Sequence, residues 1–163
     1  MKYFAYGSNM SLLRLRQRVP GAERLGLFIL EQHDLRFHKI SKDGSGKCDV
    51  YPTGNPDDSV FGALFKIDPG EKPFLDEIEG LGVGYEEKLV NVKNDVGDVI
   101  EAVTYYATRI DSSLKPYSWY LNHVIIGAKE INVPGHYLKA IQSVESIEDG
   151  DKKRDAEQRA IYK

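Results

Sequence analysis

The sequence has almost none of the residue that cross-links secreted proteins. Cys48 is the only cysteine among 163 residues. A single cysteine excludes an intramolecular disulfide and is typical of a reducing compartment. The apolar segment at the start, Met1 to Tyr6, is too short to be the apolar region of a signal peptide, and the residues after it are too polar to extend it. No apolar run approaches the ~20 residues of a membrane span. The sequence therefore predicts a soluble, cytoplasmic protein with no membrane partner.

The sequence also lacks a basic excess and a metal-binding pattern. Its net charge is −3, with 22 basic and 25 acidic residues, which does not favour a nucleic-acid partner. The four histidines do not pair with one another or with cysteine at metal-ligand spacing, so no metal site is predicted. Cys48 has no activating partner nearby in sequence, which makes a nucleophilic role improbable.

The pattern of apolar residues predicts strands first and helices mostly last. Such an order favours an α+β fold, with a small mixed sheet or barrel and helices beside it. We expect one domain over residues 1–147 and a charged C-terminal tail over 148–163, which is either a solvated helix or frayed. Predicted strands cover 2–6, 25–31, 34–40, 48–52, 60–67, 85–93 and 99–107, and predicted helices cover 10–19, 69–79, 116–128 and 133–144.

The turn Tyr6-Gly7-Ser8-Asn9 joins the first strand to a helix. Glycine allows a sharp turn and close approach of a ligand, and free N–H groups at a helix start attract negative oxygens. This turn could bind a carboxylate or an oxyanion. The ordinary alternative is that Ser8 and Asn9 only cap the helix. Tyr120, in a later aromatic segment, could present its hydroxyl to a polar ligand, although packing is its default role.

Glu79 ends the helix that Asp68, Pro69 and Glu71 are expected to begin as a capping box. A negative charge at a helix C-terminus is unfavourable by about 0.3–1 kcal/mol. A residue that departs in this way from the usual preference for cations at helix ends can be a functional residue. The alternative is that Asp76, Glu77 and Glu79 form one solvated acidic face. The glycines from 80 to 84 follow a helix and precede a strand, which is the wrong context for a nucleotide-binding loop. We expect them to form a flexible segment that ends the helix and shapes the wall of a pocket.

Three segments together resemble the γ-glutamylcyclotransferase family. Residues 3–10 (YFAYGSNM) look like its N-terminal signature, and residues 75–80 (LDEIEG), followed by Gly84-Tyr85, resemble the segment of its catalytic glutamate. Residues 127–130 (GAKE), followed by Pro134, Tyr137 and Leu138, resemble its C-terminal region. The resemblance covers about residues 3–145. At Ser8-Asn9 the sequence is similar to that of the branch of the family that acts on γ-glutamyl amino acids.

This resemblance implies a small β-barrel-like sheet flanked by helices, and a cofactor-independent enzyme of the lyase or acyl-transfer type. Such an enzyme would cyclise a small γ-glutamyl amino acid or amine to 5-oxoproline, within glutathione metabolism. It also implies that Glu79 is the general acid/base. The implied substrate-binding residues are Tyr3, Phe4, Ala5, Tyr6, Gly7, Ser8, Asn9 and Tyr120.

Two other functions remain open at this stage. The chain could be a non-catalytic small-molecule-binding domain of the same fold, although a pure binder needs no carboxylate at Glu79. It could also be a cyclotransferase that removes a γ-glutamyl group from a specialised metabolite. A homodimer is likewise left open.

Overall fold

A computed structural model describes residues 1–163 as a mixture of strands and helices. The strands are β1 (Lys2–Ala5), β2 (Glu23–Glu31), β3 (His33–Ile40), β4 (Gly46–Pro52), β5 (Ser59–Lys66), β6 (Tyr85–Lys93) and β7 (Val99–Ala107). The α-helices are α1 (Leu12–Arg16), α2 (Lys72–Glu79), α3 (Ser118–Glu130), α4 (Gly135–Gln142) and α5 (Lys152–Arg159). Short 3₁₀ turns cover Ser8–Met10, Pro69–Glu71 and Ala160–Tyr162.

Five of the strands close into a barrel in the order β1-β5-β2-β6-β7. Strand β1 runs antiparallel to β5 and parallel to β7, so the start of the chain lies between two later strands. Strands β3 and β4 form a separate two-stranded antiparallel sheet. The predicted α+β fold with a small barrel-like sheet is confirmed.

The barrel closes because its strands carry large apolar side chains that need burial. Phe4 on β1 and Leu64 and Phe65 on β5 are fully buried. The hairpin of β6 and β7 pairs without interruption from Tyr85 opposite Ala107 to Lys93 opposite Val99, as its sequence predicts. The buried strand β1 therefore holds the turn that follows it at a fixed position beside the barrel.

The helix predicted over residues 10–19 is wrong in its extent. Residues Ser8–Met10 form a 3₁₀ turn, Ser11 adopts an extended backbone, and α1 covers only Leu12–Arg16. The Oγ of Ser11 accepts a hydrogen bond from the Arg14 N–H and caps α1. Serine competes in this way with continuous helix, because its side chain satisfies the free N–H groups of a new helix start.

The start of α2 agrees only partly with the predicted capping box. Asp68 caps the 3₁₀ turn, and its Oδ1 accepts a hydrogen bond from the Gly70 N–H at 2.8 Å. Glu71 does not complete the box, because its carboxylate accepts a hydrogen bond from the Gly21 N–H instead. At the other end, Gly80 takes a left-handed conformation with φ 76° and ends the helix directly after Glu79.

Helix α3 packs closely against the 3₁₀ turn at Ser8–Met10. A Cβ atom on Gly127 would lie 2.4 Å from the Met10 Cβ and 2.6 Å from the Ser11 N. Only glycine permits this approach, so the small residue near the end of α3 serves close packing. The turn is therefore held by β1 from one side and by α3 from another.

The C-terminal residues form α5 and a final 3₁₀ turn, so of the two predicted alternatives the helix is correct. This segment contacts the rest of the protein through polar side chains. The Tyr162 hydroxyl lies 2.9 Å from the Ser11 Oγ, and the Gln158 Oε1 accepts a hydrogen bond from Arg14 at 2.6 Å. The domain division after residue 147 stays a prediction. No helix combines the length and the apolar character needed to cross a bilayer.

Candidate active site

The turn after β1 and the end of α2 meet through a hydrogen bond between Asn9 and Glu79. The Nδ2 of Asn9 donates to the Glu79 Oε1 at 2.7 Å and to the Tyr3 hydroxyl at 3.1 Å. Asn9 and Tyr3 are both buried, and the Glu79 side chain is 16% exposed. The two segments singled out in the sequence are therefore brought together, although they are 70 residues apart.

A cation holds the same oxygen of Glu79. The Nη1 of Arg18 lies 3.4 Å from the Glu79 Oε1 and donates to the Asn9 Oδ1 at 3.2 Å. Asn9 and Arg18 both contact Oε1 of Glu79, and Oε2 accepts no hydrogen bond within the protein. One carboxylate oxygen is therefore fixed while the other stays free to exchange a proton with a ligand.

Asp76 anchors α2 to the barrel one turn before Glu79. The Tyr105 hydroxyl on β7 donates to the Asp76 Oδ1 at 2.6 Å, and Lys72 pairs with the same oxygen. Residues three apart share a helix face, so this anchor also points Glu79 toward the barrel. Glu77 alone of the three acids is well exposed. The alternative of a single solvated acidic face is therefore wrong.

The turn itself offers unused backbone donors. The N–H groups of Gly7, Ser8 and Asn9 donate to no acceptor within the protein. Ser11 caps α1, and the 3₁₀ turn has no side-chain cap, so capping by Ser8 and Asn9 does not explain these residues. A Cβ on Gly7 would lie 2.9 Å from the Cys48 Cβ, which shows why glycine is required at that position.

A recess of about 30 Å³ opens beside Glu79, and we call it the tyrosine recess. It contains seven of the predicted site residues, whereas Phe4 and Ala5 are buried in the barrel and do not line it. The lining residues are Tyr3, Tyr6, Gly7, Ser8, Asn9, Cys48, Glu79, Tyr85, Tyr105 and Tyr120.

Burial keeps the polar groups of the tyrosine recess protonated. It raises the pKa of each tyrosine that lines the recess well above the ordinary value, so the phenols stay neutral hydrogen-bonding groups. Burial likewise raises the pKa of the Cys48 thiol to about 12, which disfavours the thiolate that a nucleophile needs. Glu79 is thus the one acidic side chain in the recess lining.

Tyr85 and Tyr105 line the recess but were not predicted as site residues. Tyr85 begins β6 directly after the glycine run, and its hydroxyl donates to the Cys48 carbonyl at 2.6 Å. The alternation of β7 could have indicated Tyr105, because Val103 pairs with Tyr3 and Tyr105 lies two residues further on the same face. Tyr120, which was predicted, accepts a hydrogen bond from the Cys48 N–H at 3.0 Å.

Two further spaces adjoin Glu79. A cleft of about 370 Å³ lies between the β3–β4 connection and the end of α2, and we call it the basic cleft. Gly80 and Gly84 line it, as predicted for the glycine run. A smaller space of about 60 Å³ shares Tyr120 with the tyrosine recess and Lys39 with the basic cleft. Glu79 lines all three spaces.

Known proteins are similar in sequence to most of this chain. Residues 59–141 match the model of the AIG2-like family. The chain is 30% identical over 149 residues to the γ-glutamylcyclotransferase of Bos taurus, covering 88% of this chain and 78% of the relative. The chain belongs to the γ-glutamylcyclotransferase family. The Homo sapiens γ-glutamylcyclotransferase is equally similar, with 30% identity over 149 residues, 88% of this chain and 78% of that protein.

The solved structure of a γ-glutamyl cyclotransferase has the same fold. It superposes with a TM-score of 0.85 at 26% identity and covers 98% of both chains. The family resemblance first seen in three short segments therefore extends over nearly the whole chain.

Proposed function

We propose that this protein is a γ-glutamylcyclotransferase that converts a small γ-glutamyl amino acid or amine into 5-oxoproline and a free amine. The observation that carries the proposal is the hydrogen bond that joins Asn9 to Glu79. It places a carboxylate with one free oxygen beside a turn with unused N–H donors. A family member with this pair has the acid/base and the oxyanion donors that the reaction needs.

The reaction begins with proton removal by Glu79. The neutral α-amino group of the substrate attacks its own γ-carbonyl carbon and gives one proton to Oε2 of Glu79 as the bond forms. A new C–N bond closes the five-membered ring and leaves a tetrahedral oxyanion. Glu79 then returns the proton to the leaving nitrogen as the scissile C–N bond breaks. The attack is intramolecular, so the protein accelerates it mainly by holding the substrate folded on itself.

The turn stabilises the charge that develops during attack. The free N–H groups of Gly7, Ser8 and Asn9 would donate to the tetrahedral oxyanion. Loss of one such donor typically lowers the rate by about 100-fold to 1,000-fold. The phenols of Tyr3, Tyr6 and Tyr120 would bound the folded substrate, while Phe4 and Ala5 would hold the turn from within the barrel.

The proposal is tested by incubating the purified protein with γ-glutamyl-alanine and measuring 5-oxoproline and alanine. Equal amounts of both products are expected. Saturable binding of γ-glutamyl-alanine without product would instead favour the non-catalytic binding domain. A panel that includes γ-glutamyl-capped metabolites identifies the leaving group, since a specialised cyclotransferase would turn over only the capped metabolite.

Several features expected from the sequence remain part of this proposal. They are a cytoplasmic location, a role in glutathione metabolism, the absence of a cofactor and of nucleic-acid or membrane partners, and a homodimer as one quaternary state. None of them is needed for the reaction that Glu79 and the turn would carry out.

A further inference from the structure

The basic cleft shares Glu79 with the tyrosine recess and has an excess of cationic side chains in its lining. Its lining carries four cationic side chains against the two carboxylates of Glu77 and Glu79. The cations come from the β3–β4 segment and from the residues after β7, and they are Lys39, Lys42, Lys47 and Arg109. A pocket with this excess of positive charge favours an anionic ligand.

Most of these cations have no acidic partner within the protein. Lys47 pairs with Asp43 at 3.6 Å, and Arg18, which lines the smaller adjoining space, pairs with Glu79. Lys39, Lys42 and Arg109 form no ion pair at all. The cleft therefore keeps three cations available to a ligand.

Of the three cations, Lys39 gives the strongest indication of an anionic ligand, because it is buried and has no ion-pair partner. Only 9% of the residue is exposed, and its Nζ stands 4.6 Å from the centre of the Tyr85 ring. Burial lowers the pKa of the Lys39 ammonium. Glu79 and Asp43 partly offset this effect, but neither forms a direct ion pair with Lys39, so a bound anion would stabilise its charge further.

The backbone holds Arg109 beside Lys39. The Ile40 N–H donates to the Arg109 carbonyl at 3.0 Å, and Lys39 forms an isolated bridge with Ile110. A Cβ on Gly84 would lie 3.0 Å from the Lys39 Nζ, so glycine leaves the room that this ammonium occupies. The positions of Lys39 and Arg109 are thus set by strand pairing and by the glycine run.

The proposed reaction determines what enters the basic cleft. If the γ-glutamyl group occupies the tyrosine recess and its scissile bond lies at Glu79, the leaving group extends into the adjoining cleft. An ordinary amino acid brings one carboxylate there, which leaves at least one of the unpaired cations unused. A leaving group with two carboxylates matches the available charge better.

We propose that the basic cleft selects γ-glutamyl derivatives of acidic amino acids, with Lys39 and Arg109 as specificity-determining residues that bind the second carboxylate. This inference rests on the proposed function, because it assigns the leaving group of that reaction. Two partly exposed ion pairs to the second carboxylate would favour the acidic substrate by roughly tenfold.

The test compares γ-glutamyl-glutamate with γ-glutamyl-glutamine, which has nearly the same shape without the second negative charge. We expect kcat/KM to be roughly tenfold higher for γ-glutamyl-glutamate at low salt, and this ratio to fall as ionic strength rises. Lys39→Met and Arg109→Met should each lower the ratio toward one. Lys153→Met, at an α5 side chain that is 87% exposed, is the matched control and should keep the ratio of the parent protein.

The outcomes separate this inference from the proposed function. Equal kcat/KM for the two substrates, or ratios unchanged in both variants, would overturn the inference and leave the cyclotransferase assignment intact. No 5-oxoproline from any γ-glutamyl substrate would overturn both. Thermal unfolding verifies the fold of each variant, and the exposed Arg109 keeps the test valid if Lys39→Met does not fold.

Discussion

At the scale of single residues, the site depends on how Glu79 is held. Asn9 and Arg18 both contact Oε1, while Oε2 is left to the substrate. Asn9 also connects Glu79 to Tyr3, so a single amide joins the strand, the turn and the helix end. The side chain of Asn9 therefore positions Glu79, whereas its backbone N–H is one of the proposed oxyanion donors.

Asn9→Ala should reduce turnover without unfolding the protein. A hydrogen bond to a charged group typically contributes about 1.5–3 kcal/mol, so its loss predicts a decrease in kcat of roughly 10-fold to 100-fold. Steady-state kinetics should show the change mainly in kcat, since the substrate-binding surfaces stay in place. Asn91→Ala, at an exposed position of β6, is the control. Normal kcat in a folded Asn9→Ala protein would show that Asn9 does not position Glu79.

Local patterns at the residue scale placed Glu79 at a helix end, but its role came from the resemblance of residues 75–80 to the family's catalytic segment, and its partners were not predicted. Gly80 and the apolar spacing before it are visible in the sequence, and both mark the end of α2. The contact of Asn9 with Glu79 and that of Tyr105 with Asp76 join residues distant in the chain. They exist only once the barrel has closed, so no local rule could have predicted them.

At the scale of elements, the close contact between α3 and the 3₁₀ turn keeps the oxyanion donors in place. The same helix carries Tyr120, whose hydroxyl accepts from the Cys48 N–H. Helix α3 therefore fixes the turn through Gly127 and a wall of the tyrosine recess through Tyr120. The prediction of a single helix over residues 10–19 failed here because Ser11 starts a new helix at this contact.

Gly127→Ala should destabilise the protein although alanine favours helix. The added Cβ would lie 2.4 Å from the Met10 Cβ, and overpacking of this kind typically costs about 1–3 kcal/mol. Urea unfolding measures the loss, and 5-oxoproline release should fall because the turn moves. Gly135→Ala is the matched control, since a Cβ there meets nothing within 4 Å. Equal stability of the two variants would contradict the close packing of α3 on the turn.

At the scale of the whole molecule, the C-terminal segment reaches back to the elements around the site. Gln158 accepts a hydrogen bond from Arg14, and Tyr162 lies against both Ser11 and His123. The charged composition of residues 148–163 indicated a solvated segment and gave no sign of these contacts. They depend on buried polar groups of α1 and α3 that only the folded chain brings together.

The buried His123 should make the folded state sensitive to acid. Burial, with a further contribution from Arg14, lowers the pKa of His123 from 6.5 to about 3. Between pH 3 and pH 6.5 the unfolded chain therefore binds more protons than the folded protein. The contribution of neutral His123 to stability is fully present above pH 6.5 and is lost as the pH falls toward 3. One such group changes the free energy of unfolding by at most about 1.4 kcal/mol per pH unit.

Urea unfolding of the parent protein and of His123→Asn between pH 7 and pH 4 would measure this effect. The variant should show a smaller loss of stability on acidification. His136→Asn, at an exposed position of α4, should behave like the parent protein. If His123→Asn and the parent protein lose stability in parallel, His123 is not the group that makes the fold sensitive to acid.

The central claim is that Glu79 carries the proton in a cyclotransferase reaction, and a matched pair of variants tests it most directly. Glu77 lies on the same helix but is exposed, whereas Glu79 lines the tyrosine recess. We predict that Glu79→Gln stays folded and loses nearly all 5-oxoproline release from γ-glutamyl-alanine, while Glu77→Gln keeps it. Undiminished 5-oxoproline release by Glu79→Gln would contradict the account.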